Sequence, residues 1–206
     1  MSGVLMSISK LIAEFDSRKV VPVDVNDVVA ALATHGSKDE IYFFPVDIDA
    51  TVLKGQLVHW DRNEDYEYPT DATQQVMKSV ACVYYAKSMT DDWQRLVTCK
   101  ELLHILDSDV TRASTPDVVL KLTEKIVLAP EFQDIGDGSA TLSDRAALIQ
   151  AAAVLFPQRA RELFTENGSL TPTEIAKLVD LPMRYVTLVM SDTWPGIHNI
   201  LLSIEQ

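Results

Sequence analysis

A chain of 206 residues, 47% hydrophobic and 23% charged, can bury a sizeable core and fits one domain with at most a small appendage. Its formal charge of −12 and the scatter of its 18 lysines and arginines along the chain argue against nucleic-acid binding, because a phosphate backbone would be repelled. No stretch approaches the roughly 18 apolar residues of a membrane span. Cys82 and Cys99 form neither a disulfide framework nor a C-x-x-C motif, and residues 1–19 lack a signal-peptide pattern, so the expected location is the reducing cytoplasm.

In chain order, Val4, Leu5, Ile8, Leu11, Ile12 and Phe15 recur at helical intervals and predict an amphipathic helix. A second helix carries Val25, Val28, Val29 and Leu32 on one face, with Asp24 or Asn26 as cap and His35-Gly36 as its end. Between 41 and 85 the pattern changes to short β-branched and aromatic runs, Ile41 to Phe44, Gln56 to Trp60 and Val80 to Tyr85, which predict three strands. The acidic stretch from Asp61 to Asp71 between them is expected to be a solvent loop.

From Thr90 onward the pattern is helical. Thr90, Asp91 and Asp92 predict the start of a helix to about Asp107, since acids suit the positive end of the helix dipole. Thr115-Pro116-Asp117 predicts another start, and residues 130–142, with Pro130, Gly136 and Gly138, predict a loop. Ser143 is expected to cap an apolar helix reaching Pro157, and Thr171-Pro172-Thr173-Glu174 has the pattern of a capping box. The expected class is α+β: a small, mainly antiparallel three-stranded sheet packed with a central helix and further helices. The expected organisation is one domain over 1–190, with helices in 4–35, sheet in 41–85 and a helical part in 90–190, followed by a tail at 191–206.

The chemistry concentrates on Lys100-Glu101-Leu102-Leu103-His104. In an H-E-x-x-H helix, residues four apart share a face, so two imidazoles converge on one zinc while the glutamate can take a proton from metal-bound water. Here the base and second-ligand positions are filled by Glu101 and His104, and the first-ligand position holds lysine. Downstream, Asp144-Arg145-Ala146-Ala147-Leu148-Ile149-Gln150-Ala151 leads to Phe156-Pro157, with the acid three residues before one alanine, seven before another and thirteen before proline.

These two helices resemble those of the ImmA/IrrE metallopeptidases, a zincin-like family. In that family a strand and turn lead into an R-x-x-x-A-H-E-L-G-H-type helix, and a later helix reads E-x-x-A-x-x-F-A-x-x-L-L-M-P. The stretch Leu170 to Met190 is similar to the family's closing helix pair. The resemblance spans about residues 20–190 through scattered short motifs. It implies Glu101 as catalytic base and His104 and Asp144 as metal ligands. It also departs from the pattern, with Lys100 at the first ligand, Cys99 for alanine and Leu103 for glycine.

An ammonium group has no lone pair for zinc, so Lys100 would leave His104 and Asp144 one short of a three-ligand catalytic site. Two anionic positions facing a lysine suggest instead an ion pair of Lys100 with Asp144, joined by Glu101, in place of the metal. The leading expectation is therefore a degenerate, metal-free metallopeptidase-like protein serving as a regulatory or protein-binding module. The resemblance implies a repressor-like or antitoxin-like protein partner. The alternatives are an active zinc-dependent endopeptidase cleaving such a protein, and a helical scaffold without a catalytic site. His35, His59 and His198 lie outside the motif and are expected to be surface or boundary residues.

Overall fold

The computed structural model describes residues 7–37, 39–61, 79–106 and 142–203. Helix α1 (Ile8–Phe15) buries Ile8, Leu11, Ile12 and Phe15, the i, i+3, i+4, i+7 set that its spacing predicts. Helix α2 (Val25–Thr34) starts where the Asp24 carboxylate accepts the Asn26 N–H at 2.8 Å. It stops at His35, and Gly36 then takes a φ of 100°, which favours glycine.

Strands β1 (Glu40–Val46), β2 (Gly55–Asp61) and β3 (Ser79–Ala86) form one sheet in the order β1-β3-β2. β2 pairs antiparallel with β3, whereas β1 pairs parallel with β3, Tyr42 opposite Cys82. The sheet is thus mixed, which corrects the mainly antiparallel arrangement expected. Alternation of side chains fixes which face of a strand is buried but says nothing of strand direction. β3, with Val80, Ala81, Cys82, Val83 and Ala86 all buried, takes the centre. β2 then carries the chain back along the far edge and lets β1 and β3 run the same way.

Helix α3 (Asp91–Leu103) is the centre of the molecule, and every residue from Leu96 to Leu103 is buried. A helix buried on all sides must be covered all round; here β2, β3 and α2 lie against it, together with α4 (Leu142–Leu155). Ala146, Ala147, Ala151, Ala152 and Ala153 of α4 are all buried, and α4 packs against α3. Helices α5 (Gln158–Asn167), α6 (Pro172–Val179), α7 (Met183–Met190) and α8 (Trp194–Ser203) complete the described part. The expected capping box is present: the Thr171 hydroxyl accepts the Glu174 N–H, and Glu174 accepts the Thr171 N–H. α8 lies in the stretch expected to be a tail, yet it buries Trp194, Ile197 and Leu201 and packs on α1.

Three boundaries differ from expectation. α3 ends at Leu103, and a 3-10 turn over His104–Leu106 replaces the helix expected to reach Asp107. Ser143 lies inside α4, which begins at Leu142. Thr90 has the extended backbone of a cap residue, but its side chain makes no capping hydrogen bond. Val4, Leu5, the stretch 62–71, the helix start at Thr115 and the loop 130–141 lie outside the described residues.

Two residues fix the position of α3. The Arg95 guanidinium donates to the carbonyls of Val179 and Asp180 at 2.7 Å each, and to that of Val23. One side chain therefore ties the helix to the segment before α2 and to the α6–α7 turn. Gly55, at the start of β2, is buried against the other side of α3: a Cβ there would lie 2.5 Å from Val97 Cγ1 and 3.0 Å from Glu101 Oε1. Gly55→Ala is therefore expected to lower stability by about 1–3 kcal/mol through overpacking. Urea unfolding checks this, and an unchanged midpoint would contradict the close strand–helix approach.

Candidate functional site

The central helix carries Lys100 and Glu101 into the part of the core that is covered on all sides, and α4 brings Asp144 to them in its first turn. Lys100 Nζ donates to Asp144 Oδ1 at 2.5 Å, and Glu101 Oε1 lies 2.8 Å from the same nitrogen. Lys100 and Glu101 are 6% and 3% exposed, whereas the Asp144 side chain is 33% exposed. The cluster therefore has a dry interior and one edge near solvent.

The two carboxylates interact with the ammonium differently. Asp144 accepts a directed, charge-assisted hydrogen bond. Glu101 Oε1 sits close to Nζ but off the hydrogen-bonding direction, and it has no hydrogen-bond partner. Its attraction to Lys100 is thus mainly Coulombic, with the Gly55 backbone closing its flank. Burial by itself disfavours the ammonium. The charge of Glu101, then the hydrogen bond and charge of Asp144, outweigh that penalty and hold the Lys100 pKa above its ordinary 10.5. Lys100 is charged at neutral pH, so it has no lone pair for a metal or for nucleophilic attack.

The structure brings Lys100, Glu101 and Asp144 together, the three residues expected to form an ion pair in place of a metal. His104 is half-buried at the C-cap of α3, where its backbone N–H meets the carbonyls of Glu101 and Leu102 and the helix tightens into the 3-10 turn. Of the remaining histidines, His35 pairs with Glu14 and His59 is exposed on β2. His198 is buried against Asp16 at 3.0 Å and joins α8 to the end of α1.

A catalytic zinc needs three lone-pair donors converging on one point, and here the point between Asp144 and Glu101 is filled by a protonated nitrogen. Among the described residues, no three His, Cys, Asp or Glu side chains group as they would around a metal ion. The residues present do not fit that ion.

Sequence reasoning missed the roles of Gly55 and Arg95. The signal for the first was a lone glycine opening an otherwise β-branched and aromatic strand, which often marks close approach of another backbone or side chain. For the second it was an arginine in a helix whose following residues are nearly all uncharged, where a guanidinium must find acceptors at its edge. No family model, curated protein or solved structure matches this chain.

Removing the ammonium leaves two carboxylates facing each other in a mostly dry site. Lys100→Met, which keeps the volume but not the charge, is expected to destabilise the protein by about 3–5 kcal/mol. Adding Glu101→Gln and Asp144→Asn to it should recover much of that loss. Because the folded Lys100 pKa is raised, its contribution is fully present below the unfolded lysine value and is lost as pH rises through the folded one, above 10.5. Denaturant unfolding at a series of pH values checks both: wild type should lose stability in this alkaline range more steeply than Lys100→Met.

Proposed function

We propose that this chain is a zincin-like module of the ImmA/IrrE kind in which the Lys100 ammonium stands where a metal ion would, and that it works by binding a protein partner rather than by hydrolysing one. The observation that carries this reading is the placement of Lys100 Nζ between Asp144 Oδ1 and Glu101 Oε1. The positions that the family resemblance assigns to a ligand and to the catalytic base both face the same internal cation.

Peptide hydrolysis at such a centre needs an activated water and a carboxylate free to take its proton. In this chain the Glu101 oxygen that would do so lies against an ammonium, and its residue is 3% exposed. What survives is a scaffold: a small mixed sheet on a central helix, with a charged cross-link between α3 and α4. The resemblance gives the class of partner, a repressor-like or antitoxin-like protein, and the acidic chain suits a partner with a basic face.

Metal content separates this function from that of a peptidase. Protein purified without chelator is expected to carry far less than one equivalent of zinc and to unfold at the same temperature with and without EDTA. Lys100→His should restore a lone-pair donor beside His104 and Asp144 and confer zinc binding, seen as a zinc-dependent rise in unfolding temperature. Stoichiometric zinc in the wild type, lost on His104→Ala, would overturn the reading in favour of a working peptidase.

A further inference from the structure

The sheet has a second face, turned away from α3. Side chains alternate along a strand, so Ile41 and Phe43, opposite the core residues Ala81 and Val83, face the helix, while Tyr42 and Phe44 face the other way, as does Tyr84 on β3. Their rings form one row: Phe44 stacks with Tyr42 at a centroid distance of 6.5 Å and with Tyr84 at 5.3 Å. Yet Tyr42 is 46% and Phe44 40% exposed. Single apolar residues at a surface need no explanation, whereas contiguous ones mark an interaction site.

The same strand has an open backbone edge. β1 is at the end of the sheet among the described residues. The Val46 carbonyl accepts the Lys87 N–H at 3.0 Å, so Val46, and with it Phe44 and Tyr42, turn their main-chain groups toward β3. These groups alternate in direction along the strand. Ile41 and Phe43 therefore turn an N–H and a carbonyl outward, and Pro45 a carbonyl alone. A strand added at this edge would pair with those groups and set its side chains beside the aromatic row.

Charge selects the occupant. Asp39 and Glu40 stand at one end of β1 and Asp47 and Asp49 at the other, with Lys87 paired to Asp47. A second copy pairing antiparallel about Phe43 would set Asp39 against Asp47 at both ends, and Pro45, which has no N–H, against the Ile41 carbonyl. A basic strand instead meets those acids with opposite charge, and its cationic groups fit over the exposed ring faces.

We propose that the free edge of β1 receives an extended segment of a partner polypeptide that carries basic residues at alternate positions. In an antiparallel pairing about Phe43, two of these basic residues lie beside Tyr42 and Phe44 and a third beside Glu40. That the occupant is a polypeptide rests on the protein-binding reading above. Zinc content tests that reading at the lysine cluster and peptide binding tests this edge, so the two fail separately.

The probe is the blocked peptide Ac-Thr-Arg-Val-Arg-Thr-Arg-amide, titrated into the full chain and followed by NMR. Saturable binding with Kd of about 1 mM is expected for so short a ligand, with the largest amide shifts at Ile41 and Phe43 and with weakening as salt is added. Two control peptides should each bind about fivefold more weakly or worse: one N-methylated at valine, which loses the main-chain donor to Phe43, and Ac-Arg-Arg-Arg-Thr-Val-Thr-amide, which keeps the charge but not the alternation. The variant Tyr42→Thr, Phe44→Thr keeps good strand formers and should lose binding to a similar degree while unfolding at a similar denaturant concentration. The control peptides leave the protein unchanged and decide the matter even if the variant folds poorly. No saturable binding to wild type, shifts centred on β2 instead of β1, or equal binding of either control peptide or by the folded variant would each overturn the proposal. Self-association of the wild type that the variant abolishes, seen by sedimentation, would overturn the basic partner in favour of a second copy.

Discussion

A buried ammonium between two carboxylates is the constraint around which the rest of this molecule is arranged. Lys100 can stay charged in the core only because Glu101 and Asp144 outweigh the loss of water, and Asp144 can reach it only because α4 lies close to α3. α4 itself is buried along most of its length, with Ala146, Ala147, Ala151, Ala152 and Ala153 in the core. On the opposite flank β2 approaches Glu101 through Gly55, where any side chain would collide with Val97. The ion cluster and the glycine are thus parts of one packing solution.

Such a cross-link is not simply a source of stability. A buried pair gains little over apolar side chains of the same volume, while loss of one partner is severe. Its consequence is specificity of arrangement: the register of α3 against α4 that places Asp144 at Lys100 Nζ gives this ammonium its directed hydrogen bond. Arg95 does the same at the other end of the helix, fixing α3 to the carbonyls of Val23, Val179 and Asp180. Between these two anchors α3 has little freedom to shift.

Much of this was legible in the chain. Helical spacing located α1 and α2 and their ends, because caps and left-handed stops are local chemistry encoded by Asp24, Gly36 and the Thr171–Glu174 pair. The juxtaposition of Lys100 and Asp144 could be expected from complementary charge at positions 44 residues apart, though only after a family resemblance had set the two helices side by side. Strand direction was not legible, since alternation of side chains is the same for parallel and antiparallel neighbours. Nor was the Arg95 anchor, because its acceptors are backbone carbonyls, which every residue carries. The burial of Trp194 and Ile197 in α8 was missed because the last residues of a chain usually fray, and here they pack on α1.

The coupling between Lys100 and Asp144 tests the central claim most directly. A double-mutant cycle with Lys100→Met, Asp144→Asn and the combination, read by denaturant unfolding at pH 7, isolates it from packing changes at either residue alone. A directed pair in a mostly dry site should give a coupling energy of about 1.5–3 kcal/mol in favour of the wild-type pair. Additive effects, with coupling within about 0.5 kcal/mol of zero, would contradict the claim that this ammonium holds the two helices together.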